Sequence, residues 1–481
     1  MRTSEGNQQR PSPAAHLEDA DGAVHNERGV IAERYSELQG LPVLDAARAL
    51  YPLPPASAAS TVRAVFQSCE IALLNLADLM RRAAADVAAG RTSLAMVKLS
   101  WARGFHRVLV RLSLMPQQLA SPAAAAAAGR LHIADSPGFA EYVDALAAFD
   151  RAMLCEIDAG RLPIDEALSD ASLDRPLFAL IHAARVANHE STIWEDNLAD
   201  VPMACDEPSY GRFVSAAGMR DAVYDRVLSG DTYFTQFRGL HQIPETLGEE
   251  ANDHLEQAVR DIRAGHLGDA SDHLRTVIVL TEGMLASMPP MADNLATADY
   301  HEIRENLGLT SGSHSVCLRF HMFSDLYDQL ATALTTPAAA GEPGPTAWLL
   351  DRLKAEALTF RSVIFQWRDE HLHMPRNNLG GGSTKSLTGA PDAVTAVKRM
   401  RQAARNADPM LPLAGTRGLR GPASPSQAPP LRAYLDSAQS LDTHLLAATG
   451  RITQQRFIAV QERLGFFANK CPFSPPPPRR A

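Results

Sequence analysis

What this chain of 481 residues has little of narrows its class first. It holds five cysteines, Cys69, Cys155, Cys205, Cys317 and Cys471, with no Cys-x-x-Cys pair among them. Such scatter excludes a disulfide scaffold and a zinc ribbon, and it points to a reducing compartment. Lysine is scarce, five of 46 basic residues, and no basic tail is longer than Arg479-Arg480. With a net charge of −9, the chain lacks the charge that a nucleic-acid backbone or an anionic membrane surface attracts. Long apolar runs are missing too. No stretch approaches the ~18 residues of a membrane span, and the first thirty residues lack a basic start and an apolar core. The expectation is a soluble, cytoplasmic, unprocessed protein. Alternating apolar patterns are scarce as well, which argues against sheets.

What is present is alanine-rich and 46% hydrophobic, enough for substantial cores. The fold class expected is all-α, two helical domains in sequence. A polar tail fills 1–28 and an N-terminal helical domain 29–206, with helical patterns at about 29–50, 58–89, 92–115, 137–159 and 176–196. Pro202 and Pro208 mark the boundary to a second domain, 207–405. A Pro/Gly loop at 406–430, helices at 431–470 and a proline-rich tail at 471–481 complete the chain. An offset of 175 residues lays Phe66-Gln67-Ser68-Cys69-Glu70 on His241-Gln242-Ile243-Pro244-Glu245 and Ala89-Gly90 on Ala264-Gly265. The first half is therefore readable as a worn copy of the second, with Phe66 where His241 stands, acting as a scaffold or dimer-like cover.

Chemistry-bearing residues concentrate in three segments of the second half. Leu350, Leu353, Leu358, Phe360, Val363, Ile364 and Trp367 form a helical stripe that puts His371, in Trp367-Arg368-Asp369-Glu370-His371, one turn beyond Trp367. An imidazole one turn from an indole N–H, followed by Gly380-Gly381-Gly382-Ser383-Thr384, reads as a haem-ligand helix running into a loop. His373 is the competing ligand, roughly 200° around the same helix. Phe237 and His241 are one turn apart and face one hollow. Tyr300, Arg304, Leu307 and Ser311 line one helix face until Gly308 and Gly312, joining a phenol and a hydroxyl to a guanidinium that binds carboxylates bidentately. That is equipment for holding an amino acid.

Together these segments resemble the tryptophan dioxygenase superfamily of haem enzymes. The family's Phe-x-x-x-His-Gln-x-x-Glu is matched from Phe237 to Glu245. Its Tyr-x-x-x-Arg-x-x-Leu-x-x-x-Ser-Gly is matched from Tyr300 to Gly312, with Ser315 and Arg319 following. Its Trp-x-x-x-His with a later Gly is matched by Trp367, His371 and Gly380, and its opening Tyr-Gly-x-aromatic, which in the family lies over the active site, by Tyr210-Gly211-Arg212-Phe213. The resemblance implies haem b ligated by His371, and His241 hydrogen-bonding the substrate ring or the oxidant. It further implies Phe237 and Leu307 against an aromatic ring, Tyr300, Arg304 and Ser311 on its carboxylate, and Thr384 or Thr388 on its ammonium. The implied partners are an aromatic L-amino acid and O₂ or peroxide, in a chain open to homo-oligomerisation.

The departures shape the expectation. Glu245-Thr246-Leu247-Gly248-Glu249 and Gly312-Ser313-His314-Ser315 replace the family's wall residues, and Lys385 stands at the ungapped position of the ammonium-binding threonine. The short stretch between Arg304 and His371 resembles the biosynthetic branches, so oxygenation of a tryptophan or a substituted tryptophan in specialised metabolism is expected. The alternatives are tryptophan 2,3-dioxygenation to N-formylkynurenine, tyrosine hydroxylation, a haem-binding sensor and a helical scaffold without haem.

Overall fold

The computed structural model describes residues 34–119, 135–159, 210–224, 233–307, 325–335, 345–379, 391–406 and 408–414. Within them the regular elements are helices: α1 (Leu41–Ala49), α2 (Ala58–Ala88), α3 (Thr92–Gln118), α4 (Pro137–Asp158), α5 (Tyr210–Val214), α6 (Ala216–Tyr224) and α7 (Phe234–Ala264). They continue as α8 (Leu267–Leu285), α9 (Met288–Asn294), α10 (Thr297–Leu307), α11 (Asp325–Thr335), α12 (Pro345–Asn378), α13 (Ala393–Asn406) and α14 (Leu411–Ala414). The all-α class stands, and no strand occurs among the described residues. No described helix is long and apolar enough to cross a membrane. The expected helices at 431–470 and 176–196 lie outside the described residues.

Local chemistry explains the bounds. A reciprocal Ser57/Ser60 capping box opens α2, and left-handed Gly90 (φ 69°) follows its end. Two expectations need correction. The helical pattern over 29–50 is broken at Gly40, whose φ of 68° ends one turn and starts another. Pro116 does not stop α3, which runs on to Gln118, because a proline so near the end costs only one backbone bond.

Helix α2 is buried almost all round because α3, α4 and α7 pack against it; Val65, Ile71, Leu73, Leu76 and Met80 are inaccessible. Helix α7 occupies the corresponding place against α8, and α12 lies along α8.

The two halves match in detail at the 175-residue offset. Helices α1 and α6 begin and end at equivalent positions, and α3 and α8 begin at equivalent positions. Gly40 and Ser215 share a left-handed backbone (φ 68° and 59°), as do Gly90 and Gly265 (69° and 81°). The Arg91 N–H donates to the Asp86 carbonyl at 2.8 Å, and the His266 N–H to the Asp261 carbonyl at 2.8 Å. Side chains cross between the halves with the same regularity. Tyr35 donates to Glu245 Oε1 at 2.7 Å, and Tyr210 to Glu70 Oε2 at 3.3 Å. Gln242 Nε2 donates to the Gln39 carbonyl at 2.8 Å, and Gln67 Nε2 to the Val214 carbonyl at 3.0 Å. Each half thus holds residues of the other: Tyr35 and Gln39 meet α7, and Tyr210 and Val214 meet α2.

Candidate functional site

Helix α12 sorts its residues around its axis. Asp369 pairs with Arg401 and Arg405 on α13, and Arg401 Nη2 donates to it at 3.0 Å. Glu370 pairs with the exposed His373 at 3.5 Å. Arg368 is buried, its guanidinium pushed down to about 10 by burial, with the Tyr327 phenol opposing. Trp367 and His371 share the remaining face, ring centroids 5.6 Å apart and planes 4° from parallel. The helix is held from both ends. Ser271 on α8 donates to Glu356 at 2.8 Å, and Asn378 donates to the Leu295 carbonyl after α9.

His241 is carried by α7, with its Nδ1 2.8 Å from the Phe237 carbonyl oxygen. A carbonyl only accepts, so Nδ1 carries the proton and Nε2 of the neutral ring is left as an acceptor. The Phe237 ring lies 4.2 Å from the imidazole, tilted by 42°.

Burial pushes the His241 imidazolium down to about 4, against the Phe237 hydrogen bond that favours it. Burial also pushes His371 down to about 4, and the charges of His241 and Arg368 push the same way. Both rings are deeply surrounded yet keep some accessible surface. The imidazole of His241 on α7 is thus near enough to that of His371 on α12 for its charge to oppose protonation there. Tyr300 and Arg304 form a second group on α10, which packs on α12. The Arg304 guanidinium lies 5.7 Å from the Tyr300 ring centroid; burial raises the phenol's pKa, and Arg304 opposes this.

Several expectations are corrected or left aside. Trp367 meets His371 by stacking, and since an indole N–H lies in the plane of its own ring, this geometry does not hold the imidazole by a hydrogen bond. Tyr210, expected over the active site, instead packs edge-on against Phe66 at 5.7 Å and bonds Glu70, in the first half. The tyrosine that does reach the His241 helix is Tyr35. It was findable by carrying the 175-residue offset back from Tyr210. Arg368 is a second omission, visible in the motif and without a signal that its charge turns inward. Ser311, Thr384, Thr388, Gly380 and Lys385 lie outside the described residues, and Leu307 closes α10 with its side chain undescribed.

The described architecture is that of an all-α protein. No family model matches the chain, and no curated protein or solved structure is significantly similar to it.

Proposed function

We propose that the chain is a haem-dependent oxygenase of an aromatic L-amino acid, in which His371 would hold the iron of haem b. The observation that carries this reading is the pair of imidazoles at 241 and 371, carried on α7 and α12, each of which its deep surroundings hold neutral, with the charge of His241 pushing His371 further the same way. Neutral imidazole is the form that ligates iron, so the residues present fit the group. Haem, when bound, supplies the activation of O₂ or peroxide.

The protein's part is position and polarity. Stacked Trp367 fixes the plane of His371. The Nε2 acceptor of His241 suits a ring N–H or phenol O–H of the substrate better than an oxidant that needs a donor. Phe237, in contact with His241, offers an apolar wall to an aromatic ring. Arg304 beside Tyr300 supplies the bidentate carboxylate anchor, and a fixed anchor aims the ring. The resemblance adds Leu307, Ser311 and Thr384 or Thr388 to the same pocket.

Purified protein expressed with adequate iron and porphyrin should show a Soret band. His371→Ala should abolish stoichiometric haem, while His373→Ala, which alters an exposed side chain, should retain it. Colourless wild-type protein, or the reverse pattern in the two variants, would end the reading. A panel of aromatic amino acids scored by Soret shift, in wild type and in Arg304→Ala, then tests the anchor: unchanged binding in the variant removes Arg304 from the site.

A further inference from the structure

The equivalences at the 175-residue offset divide into two kinds. Residues held in both halves make the contacts between them: Tyr35 and Tyr210, Gln67 and Gln242, Glu70 and Glu245. The chemistry-bearing position is held in one half only, where His241 answers to Phe66. In the first half that position is sealed. Tyr210 packs edge-on against Phe66, and the buried Glu70 carboxylate accepts from Ser136 Oγ, the Gly138 N–H and Tyr210. In the second half the corresponding helix carries an imidazole whose Nε2 is an acceptor, and Glu245, one turn further on, is held by Tyr35.

We propose that the chain is two copies of one unit joined in tandem, which exchange their leading segments as the subunits of an intertwined dimer do, and that Tyr35 of the first copy positions the His241 helix of the second. The argument is reciprocity. A hydrogen bond from one half to the other is ordinary. Two pairs of such bonds, each the image of the other under a single numbering offset, are what a two-fold relation between like units produces, because in an isologous interface residue i meets j and j meets i. The backbone agrees, since the left-handed residues at 40 and 215 start the equivalent helices α1 and α6, which pack on one another. The pair Tyr35–Glu245 thus does at the imidazole-bearing helix what Tyr210–Glu70 does at its retired counterpart. The tandem relation stands independently of the haem reading; the positioning role of Tyr35 rests on it.

Two experiments on the full chain separate these parts. In the first, a protease recognition sequence is placed within residues 160–209 and cut after folding. The two pieces should co-elute in gel filtration with an unchanged melting temperature, and pieces that separate on cutting would overturn the tandem interface. Should the insertion itself prevent folding, double-mutant cycles in the intact chain decide: Tyr35→Phe with Glu245→Gln, and Tyr210→Phe with Glu70→Gln. Both cycles should show coupling, and strictly additive losses in both would overturn it.

In the second, Tyr35→Phe and Tyr210→Phe are compared after loading with hemin, using free imidazole as the probe. Each removes an equivalent hydrogen bond, yet only Tyr35→Phe should change the imidazole dissociation constant, by about tenfold. Equal effects of the two changes, or none from Tyr35→Phe, would overturn the positioning role. Wild-type protein that takes up no hemin would refute both the haem reading and the positioning role built on it, and leave the tandem inference to the first experiment.

Discussion

The two inward imidazoles are the residues whose protonation the fold opposes most plainly. Their folded pKa values, about 4, lie below the ordinary 6.5, so between those limits the unfolded chain binds protons that the folded chain refuses. Stability therefore falls as pH drops from 6.5 toward 4, by on the order of 3 kcal/mol for each imidazole in haem-free protein. Urea titrations across that range, in wild type and His371→Gln, should show a shallower fall in the variant. Taking the difference between the two removes the opposite drift from Glu70 and Glu282, which burial raises against their hydrogen-bonding partners. A second residue-scale effect concerns Ser215. Its left-handed backbone strains a residue with a Cβ, its hydroxyl is buried with no partner among the described residues, and its equivalent is glycine. Ser215→Gly should raise stability by about 0.5–1 kcal/mol in thermal melts.

At the scale of elements, the helical hairpins α2–α3 and α7–α8 share a turn and differ in its charge. Asp86 is buried at the first; burial pushes its carboxyl up, but Lys98 and Arg91 bond it and pull it below its ordinary range. Asp261 at the second has His266 and His273 at 3.9 Å in the equivalent places. Lys98→Met should cost about 3–5 kcal/mol, because a buried carboxylate loses a partner, with Arg91 limiting the loss. His273→Met should cost less than that at neutral pH, since burial pushes the His273 imidazolium down, the charge of His254 adding to this and Asp261, Asp269 and Asp272 opposing. Chemical denaturation of both variants reads the contrast. Helix bounds such as 58–88 and 137–158 are legible in the sequence because capping residues, glycines and prolines act within a few positions. The inward turn of His371 is legible for the same reason, since a 3.6-residue period ties it to Trp367.

At the scale of the whole molecule, what the sequence conceals is the crossing of the two halves. The offset of Phe66 to Glu70 against His241 to Glu245 marks likeness, but likeness along a chain does not say which half touches which. Tyr210 looks like the cover of the imidazole site because the resemblance puts its motif there, and it lies on the other half because the units exchange. The exchange also bears on how the protein comes to be folded. Synthesis runs from the N-terminus, so the pocket around Glu70 lacks its tyrosine until residue 210 has left the ribosome, and Tyr35 must wait for Glu245. The first half therefore spends much of translation with an open flank that only its later sibling can close. Contacts that span such separations form slowly, and the nascent chain is most exposed to misassembly with a neighbour's matching half in just this interval.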